Sequence, residues 1–342
     1  MRAAVMRNKA IVADTVPEPT PGVGEVLVRT LACGICGSDL HALVHADRMV
    51  EAARASGAPF GLDPSRDVVM GHEFCGEVVD YGPDTPATLA PGARVVSMPI
   101  VFRNGALHGV GYSNDVPGGY GELMVLSASL ALEVPNGLAT EHAALTEPMA
   151  VGVHAVEKAR LGPYDAALVY GCGPVGLAVI AALKLRHVEP IVAADFSPMR
   201  RQLALGMGAH AVVDPRERPA IDAYRELADL RPTVLFECVG VPGVLDQIMR
   251  QAPLGSRIVV AGVCMERDAI WPMIGINKEL NLQFVFGYQP QEFADTLRAL
   301  AEGAIDVAPL VTGRVGVDGV AQAFRDLGSP DAHAKILVQP WR

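Results

Sequence analysis

The segment that decides the fold reads Ala166-Ala167-Leu168-Val169-Tyr170-Gly171-Cys172-Gly173-Pro174-Val175-Gly176. Its first five residues form a β-type run, its glycines form a turn, and an apolar helical stretch continues to residue 185. In such a loop the first glycine permits the tight turn, the second lets the backbone approach a pyrophosphate, and the third lets helix and strand pack closely. The alternative is an ordinary glycine turn. We predict a cofactor loop whose binding residues are Gly171, Gly173, Pro174, Val175 and Gly176.

Strand-type runs alternate with helical stretches on both sides of this loop. Further runs lie at residues 191–195, 234–237, 257–261 and 282–286, with helices expected after Pro198 and Pro242. Alternation of this kind is typical of βαβ units. We expect an α/β fold with a doubly wound parallel sheet.

The second strand of that sheet ends at Asp195, 19 residues after the last glycine of the loop. A carboxylate there accepts hydrogen bonds from ribose hydroxyls and repels a 2′-phosphate, so it predicts NAD rather than NADP. Arg200, in the following helix, has two interpretations. It contacts the adenosine ribose or phosphate, or it is a solvated surface cation.

The chain before residue 148 has a different pattern. It is rich in Gly and Pro and carries short β-type runs at 26–29, 78–81 and 94–97. After the parallel sheet, helices are expected at 293–300 and 317–327, and a closing strand at 335–338. The first part therefore predicts a smaller, mostly β unit.

Metal-type side chains are concentrated in this first part. Cys36 lies in Cys33-Gly34-Ile35-Cys36-Gly37-Ser38-Asp39-Leu40-His41, His72 and Glu73 follow Gly71, and Glu147 precedes Pro148. A thiolate, an imidazole and a carboxylate are ligands that hold zinc with one position left for substrate. Taken singly, each has a structural alternative: a small buried hydrophobe, a satisfied core histidine, or a carboxylate at a helix N-terminus. Together they predict a zinc site.

Composition restricts the partners. Half of the 342 residues are hydrophobic, and 38 acidic against 28 basic residues give a formal net charge of −10. That charge disfavours nucleic acid and anionic membranes and favours a small-molecule substrate. The N-terminus is charged too early for a signal peptide, and the six scattered cysteines suggest free thiols plus a ligand. We expect a cytoplasmic protein.

The order of these motifs, Cys36-Gly37-Ser38-Asp39-x-His41, then Gly71-His72-Glu73, then Glu147-Pro148 and the glycine-rich loop, resembles the zinc-dependent medium-chain dehydrogenase/reductase family. The resemblance covers nearly the whole chain. It implies a GroES-like catalytic domain of residues 1–147 and 287–342 and a Rossmann domain of residues 148–286. It also implies hydride transfer between a secondary alcohol or polyol and NAD, because zinc acidifies a bound alcohol.

The resemblance assigns roles to single residues. Cys36 and His72 match two zinc ligands, Glu147 occupies the position of the third, and Glu73 either coordinates the metal or forms a hydrogen bond beside it. Ser38 and His41 match a proton relay, although local turn hydrogen bonding is an alternative for both. Asp39 is expected to pair with Lys335.

Further expectations concern the cofactor and the departures from the family pattern. Nicotinamide or adenosine contacts are expected from residues at later strand ends, namely Cys238, Ala261, Gly262, Val263, Phe286 and Gly287. Residues 101–115 contain no cysteine, so no structural zinc is expected. Residues 45–55 resemble an inserted amphipathic helix with Met49, Ala52 and Ala53 on one side, lying over the cleft, at a subunit contact or remote from the chemistry.

The sequence leaves two rival functions open: a zinc-free, NADPH-dependent quinone or enone reductase of the same fold, and a noncatalytic dinucleotide sensor. The sequence does not name the substrate, although Met49, Phe60 and Phe102 favour a hydrophobic alcohol if they face it. The apolar last strand of the parallel sheet predicts a homodimer or homotetramer formed across it.

Overall fold

The computed structural model describes residues 1–58, 61–103, 105–135 and 137–342. Phe60, one of the predicted pocket residues, lies outside this part of the chain. The strands are β1 Arg2–Arg7, β2 Ala10–Thr15, β3 Glu25–Gly34, β4 Val68–Val69, β5 Glu73–Tyr81, β6 Arg94–Ser97, β7 Ile100–Arg103, β8 Ala106–Gly109, β9 Leu123–Ser127, β10 Ala131–Glu133, β11 Ala166–Tyr170, β12 Ile191–Ala194, β13 Ala211–Val213, β14 Thr233–Glu237, β15 Arg257–Val260, β16 Asn281–Phe284, β17 Val311–Val315 and β18 Lys335–Val338. The α-helices are α1 Gly37–Ser56, α2 Thr140–Ala143, α3 Thr146–Lys158, α4 Pro174–Leu185, α5 Pro198–Met207, α6 Ala220–Ala228, α7 Val244–Gln251, α8 Pro272–Lys278, α9 Pro290–Ala301 and α10 Val320–Leu327.

The chain divides into two compact units. The first consists of Met1–Glu147, Phe293–Gly303 and Val311–Arg342, and the second of Pro148–Glu292 and Ala304–Leu310. Residues 287–292 and 304–310, which the sequence analysis assigned to the catalytic domain, thus lie in the second unit. The carboxylate of Glu292 explains part of this difference, because its Oε2 lies 2.8 Å from Nδ1 of the buried His154 in α3.

The first unit is built on β-sheets. Its larger sheet has the strand order β10-β6-β5-β3-β18-β17, with β9 also pairing with β3, and its smaller sheet has the order β2-β1-β4. Strand β3 pairs with β5 up to Gly34 opposite Glu73, and with the closing strand β18 at Leu337 opposite Gly34. Valines, alanines and a buried Tyr120 fill the core between these elements. This pairing brings the chain segments before Cys36, after His72 and at Lys335 side by side.

The second unit is a six-stranded parallel sheet in the order β13-β12-β11-β14-β15-β16. This is the doubly wound order in which a dinucleotide binds at the carboxyl edge, where the strand order reverses. Strand β11 is buried throughout because it is central and covered on both faces, which explains its unbroken apolar sequence. The predicted α/β fold class, with a mostly β unit and a doubly wound parallel sheet, is confirmed.

The insertion after the Cys36 motif differs from its predicted form. Helix α1 runs from Gly37 to Ser56 and has a kink at His45 (φ −123°, ψ 25°). Buried Ala42 and Ala46 and partly buried Met49 continue one apolar stripe across the kink, which is why the insertion extends an existing helix. The predicted facing of Ala52 was wrong, since this residue is exposed. No helix in the described ranges has the length and apolar composition needed to cross a membrane.

Candidate functional site

Three metal-type side chains meet at the end of the β3–β5 ladder. Cys36 is the N-cap of α1, Glu73 is the first residue of β5, and His72 immediately precedes it. One ligand atom from each of the three lies within 4.8 Å of the other two. Cys36 is partly exposed, whereas His72 and Glu73 are buried, so the cluster has one accessible side.

Asp39 lies next to this cluster and accepts three hydrogen bonds, with the ring of His72 as a fourth, ionic contact. Its Oδ2 accepts the Tyr120 hydroxyl at 2.6 Å and the backbone N–H of Cys36 at 3.0 Å. Its Oδ1 lies 3.0 Å from the Tyr112 hydroxyl and 3.4 Å from Nδ1 of His72. Burial opposes ionisation, but the charge of His72 and these hydrogen bonds lower the pKa of Asp39 below its usual value. Asp39 is therefore an ionised acceptor that fixes the start of α1.

The predicted pairing of Asp39 with Lys335 was wrong. The Lys335 ammonium donates to both carboxylate oxygens of Glu73, at 2.8 and 2.7 Å, and to the carbonyl of Ile35 at 3.0 Å. The reason lies in strand order, because β18 is paired with β3 directly opposite the start of β5. Burial alone would lower the pKa of Lys335, but the charge of Glu73 and its hydrogen bonds raise it.

The residues present fit a zinc ion. Thiolate, imidazole and carboxylate form a donor set typical of zinc. A ligating histidine usually has a carboxylate behind its second nitrogen, and His72 has Asp39 in that position. Nδ1 of His72 makes no hydrogen bond of ordinary geometry to the described residues. Burial would lower the pKa of His72, but the charge of Asp39 raises it well above its usual value.

The second predicted carboxylate lies outside the cluster. Glu147 is in the first turn of α3 and is partly exposed. In the described part of the chain it does not join the group formed by Cys36, His72 and Glu73. Its charge nevertheless acts on Lys335 and contributes to the raised pKa of that ammonium.

The predicted relay residues occupy the first two turns of α1. Ser38 Oγ lies 2.9 Å from the hydroxyl of Tyr112. His41 is half-buried, and its pKa is lowered by burial and by the nearby charge of His45. Only Gly37 separates Ser38 from Cys36 in the chain, and Tyr112 links the Ser38 hydroxyl to Asp39.

Sequence reasoning missed Tyr112 and Tyr120. These tyrosines contact Asp39 across 73 and 81 positions of sequence, respectively. No local periodicity predicts contacts of this range. Their only signal was the presence of two aromatic residues in a glycine-rich segment, Gly109 to Gly121, that forms no long element.

The glycine-rich loop joins β11 to α4 as expected. Gly171 has φ +89°, a conformation that residues with a side chain rarely adopt, and Gly173 is the N-cap of α4. A Cβ on Gly176 would collide with the carbonyl oxygen of Gly171. Pro174 and Val175 open the helix, so its N-terminus faces the turn, as anion binding requires.

Asp195 is tied to this loop. Its Oδ2 accepts the backbone N–H of Cys172 at 2.7 Å and its Oδ1 accepts that of Ser197 at 2.8 Å. Arg200 Nε is buried and lacks a hydrogen-bond partner within the ranges described, while its Nη1 lies 3.9 Å from the position of a Cβ on Gly173. A buried, unpartnered guanidinium nitrogen beside a phosphate-type loop is a donor for an anionic ligand.

The remaining predicted cofactor residues lie at the same edge of the parallel sheet. Cys238 follows β14 and donates its backbone N–H to Tyr170 O at 2.9 Å. Ala261 and Gly262 follow β15, and both donate to the carbonyl of Glu237 at 2.9 Å. Further along the edge, Val263 and Phe286 are exposed, and Gly287 has a positive φ of 62°.

Comparison with known proteins agrees with this geometry. Residues 22–136 match the alcohol dehydrogenase GroES-like domain, and residues 174–302 match the zinc-binding dehydrogenase domain. The chain is 33% identical to (R,R)-butanediol dehydrogenase of Bacillus subtilis, over 99% of this chain and 100% of that protein. It is 28% identical to sorbitol dehydrogenase of the same organism, over 100% and 98%. The crystal structure of 2R,3R-butanediol dehydrogenase from Bacillus subtilis matches with a TM-score of 0.84 and 31% identity, over 99% of each chain.

Proposed function

This chain belongs to the zinc-dependent medium-chain dehydrogenase/reductase family, and on that premise we propose that it oxidises a vicinal diol with NAD and one catalytic zinc ion per chain. It is an oxidoreductase that acts on CH–OH groups and transfers a hydride between a secondary alcohol or polyol and a nicotinamide cofactor. The observation that supports the zinc site of the finer proposal is the pair of Cys36 and His72, whose ligand atoms lie within 4.8 Å of each other.

For the metal, we propose Cys36 and His72 as ligands and Glu147 as the third. Both oxygens of Glu73 already accept hydrogen bonds from Lys335, which supports a role for Glu73 in holding that ammonium beside the thiolate. A bound zinc ion makes the hydroxyl of an alcohol more acidic. Ser38 accepts a hydrogen bond from the substrate hydroxyl, and His41 takes up the released proton and passes it toward solvent, since its lowered pKa favours the neutral imidazole as a base.

For the cofactor, we propose NAD. The carboxylate of Asp195 retains acceptor capacity beyond its two backbone hydrogen bonds, which suits ribose hydroxyls and opposes a 2′-phosphate. The buried Nε of Arg200 supports an anionic group of the dinucleotide beside the glycine-rich loop. The ratio of kcat/KM with NAD to that with NADP tests this proposal, and a ratio below one would contradict it.

For the substrate, the chemistry shared by the relatives supports a vicinal diol. One relative is named for 2R,3R-butanediol and another for sorbitol, and both compounds carry hydroxyls on adjacent carbons. Oxidation of one carbinol removes a hydride, which goes to NAD, and the hydroxyl proton. The product is a hydroxyketone. Butane-2,3-diol stereoisomers and sorbitol are therefore the first members of a substrate panel.

For assembly and location, we propose a homodimer or homotetramer in the cytoplasm. The edge strand β16 carries an exposed Phe284, and Phe286 just beyond it is 95% exposed. Trp271 and Ile276, in and beside α8, are also exposed. An open strand edge with apolar side chains suits pairing with a second copy. Equilibrium sedimentation tests this, and Phe286→Glu is expected to raise the monomer fraction. All six cysteines are free, which supports a reducing compartment.

The experiment that tests the function measures zinc per chain in protein purified without chelator, together with NAD reduction over the alcohol panel. We expect about one zinc per chain, and activity that is lost on chelation and restored by zinc. Cys36→Ala should lose the bound zinc and the activity. Cys33→Ala, which removes a thiol three residues earlier, should retain the zinc and the activity. Loss of zinc in Glu147→Gln but not in Glu73→Gln identifies the third ligand. A protein that binds no zinc even when it is supplied would refute the proposal.

A further inference from the structure

Tyr112 has a position beside the candidate metal cluster that the relay described above does not use. Its hydroxyl lies 2.9 Å from Ser38 Oγ and 3.0 Å from Asp39 Oδ1. Its ring is tilted by 38° to the ring of His72, with the centroids 5.2 Å apart. Contacts at the hydroxyl and along the ring hold this side chain in place.

The hydrogen-bond directions at Tyr112 follow from counting protons. A tyrosine hydroxyl has one hydrogen to donate, and both of its neighbours, Ser38 Oγ and Asp39 Oδ1, accept hydrogen bonds. The ionised carboxylate is the stronger acceptor, because hydrogen bonds to charged groups are roughly twice as strong as neutral ones. Tyr112 therefore donates to Asp39. The 2.9 Å contact with Ser38 is then satisfied by the serine, whose O–H donates to the tyrosine oxygen.

The rest of the Asp39 environment supports this assignment. Oδ2 already accepts the Tyr120 hydroxyl and the backbone N–H of Cys36. Oδ1 has the Tyr112 hydroxyl as its short contact, because Nδ1 of His72 is farther away, at 3.4 Å. If Tyr112 donated to Ser38 instead, two oxygens rich in electron density would face each other at 3.0 Å without a hydrogen between them.

We propose that Tyr112 is a positioning residue that makes Ser38 a hydrogen-bond acceptor toward the substrate. This inference rests on the proposed function, since it takes Ser38 to contact the reacting hydroxyl. With its own hydrogen donated to Tyr112, Ser38 has only lone pairs to offer to the substrate. An alcohol, which donates, matches that arrangement. A ketone, which only accepts, requires Ser38 to turn its hydrogen away from Tyr112 and lose a hydrogen bond.

The consequence is that the protein binds the alcohol more tightly, relative to the ketone, than it would without Tyr112. One net hydrogen bond changes affinity by a factor of about 3 to 10. In Tyr112→Phe the serine hydrogen has no tyrosine oxygen to bind and turns freely toward a carbonyl. We therefore expect the ratio of alcohol affinity to ketone affinity to fall by about 3- to 10-fold in that variant.

The test uses ternary complexes that cannot react, so that affinity is measured without turnover. Binding of (R,R)-2,3-butanediol is measured in the presence of NADH, and binding of 3-hydroxybutan-2-one in the presence of NAD, by calorimetry on zinc-loaded protein. The two ligands differ at one carbon and share the second hydroxyl. Tyr120→Phe is the matched control, because the Tyr120 hydroxyl also donates to Asp39 but, within the part of the chain that the structure describes, makes no hydrogen bond to Ser38.

The outcomes separate this inference from the function on which it rests. A lowered alcohol-to-ketone ratio in Tyr112→Phe, an unchanged ratio in Tyr120→Phe and equal zinc content in both support it. Equal ratios in the two variants and the wild type would overturn it while leaving the dehydrogenase function intact. If the wild type binds neither ligand, the proposed diol function fails first and this inference falls with it.

Discussion

Replacing Lys335 by methionine tests the buried ion pair that joins the closing strand to the candidate metal site. Lys335 is 2% exposed and Glu73 is fully buried, and their shortest contact is 2.7 Å. At that distance and an effective dielectric constant of about 20, their attraction is about 6 kcal/mol. Desolvation offsets part of this in the wild type, but Lys335→Met leaves a buried carboxylate without its cation. We expect a loss of about 3–5 kcal/mol in the free energy of unfolding.

The assay is urea unfolding followed by tryptophan fluorescence in a Trp271→Phe background. The sequence contains two tryptophans, so Trp341 then reports on the first unit alone. Lys9→Met removes the same charge from a pair with Asp47 that is exposed on both sides, and it should cost at most about 1 kcal/mol. Adding Glu73→Gln to Lys335→Met should recover part of the loss. Equal costs for the two lysine variants would refute the reasoning.

Three further predictions follow from the contacts described above. Gly176→Val should weaken NADH binding at least about 10-fold, as measured by fluorescence titration, because the valine side chain would collide with the carbonyl oxygen of Gly171. Zinc content should be unchanged. An unchanged affinity for NADH would contradict the packing of the loop. Arg103→Met removes the side-chain partner of buried Glu25, whose pKa is lowered overall although burial acts to raise it. Because the pKa of Glu25 is lower in the folded protein than in the unfolded chain, where it is about 4.3, ionised Glu25 stabilises the fold above that pH, and this stabilisation is lost as the pH falls through the folded pKa. The free energy of unfolding of the variant should therefore be lower than that of the wild type by about 2 kcal/mol at pH 7 and by less at pH 3. A difference that does not change with pH would argue against the pair. Iodoacetamide should label Cys36 only after zinc removal and Cys264 in both states, as mapped by mass spectrometry; labelling of Cys36 in zinc-loaded protein would exclude it as a ligand.

The parallel sheet could be predicted from sequence because its central strands are continuous apolar runs. Strands β6, β11 and β18 have the predicted bounds, and α5 begins at Pro198 as expected. Strand β13 was missed because three residues show no period. The last strand ends at Phe284, two residues early, in register with the end of its partner β15 at Val260.

The candidate site was predictable only in part. Cys36, His72 and Glu73 follow from motifs that are local in sequence, and the structure brings them together. The partner of Lys335 depends on which strand ends lie opposite one another, and that is decided by the register of three strands from distant parts of the chain. Tyr112 reaches the site across 73 positions from Asp39, a distance at which a single sequence carries no contact signal.

The pairing of Gly34 with Glu73 makes the length of chain between the two proposed ligands irrelevant to their separation. The β3–β5 ladder fixes both ends of the segment between them, so extra residues change only the path of the chain between those ends. Closing a longer flexible loop costs only about 0.6 kcal/mol per doubling of its length. The junction where α1 ends at Gly57 is therefore a natural graft point. A peptide tag or a whole domain inserted there would leave the arrangement of Cys36 and His72 unchanged.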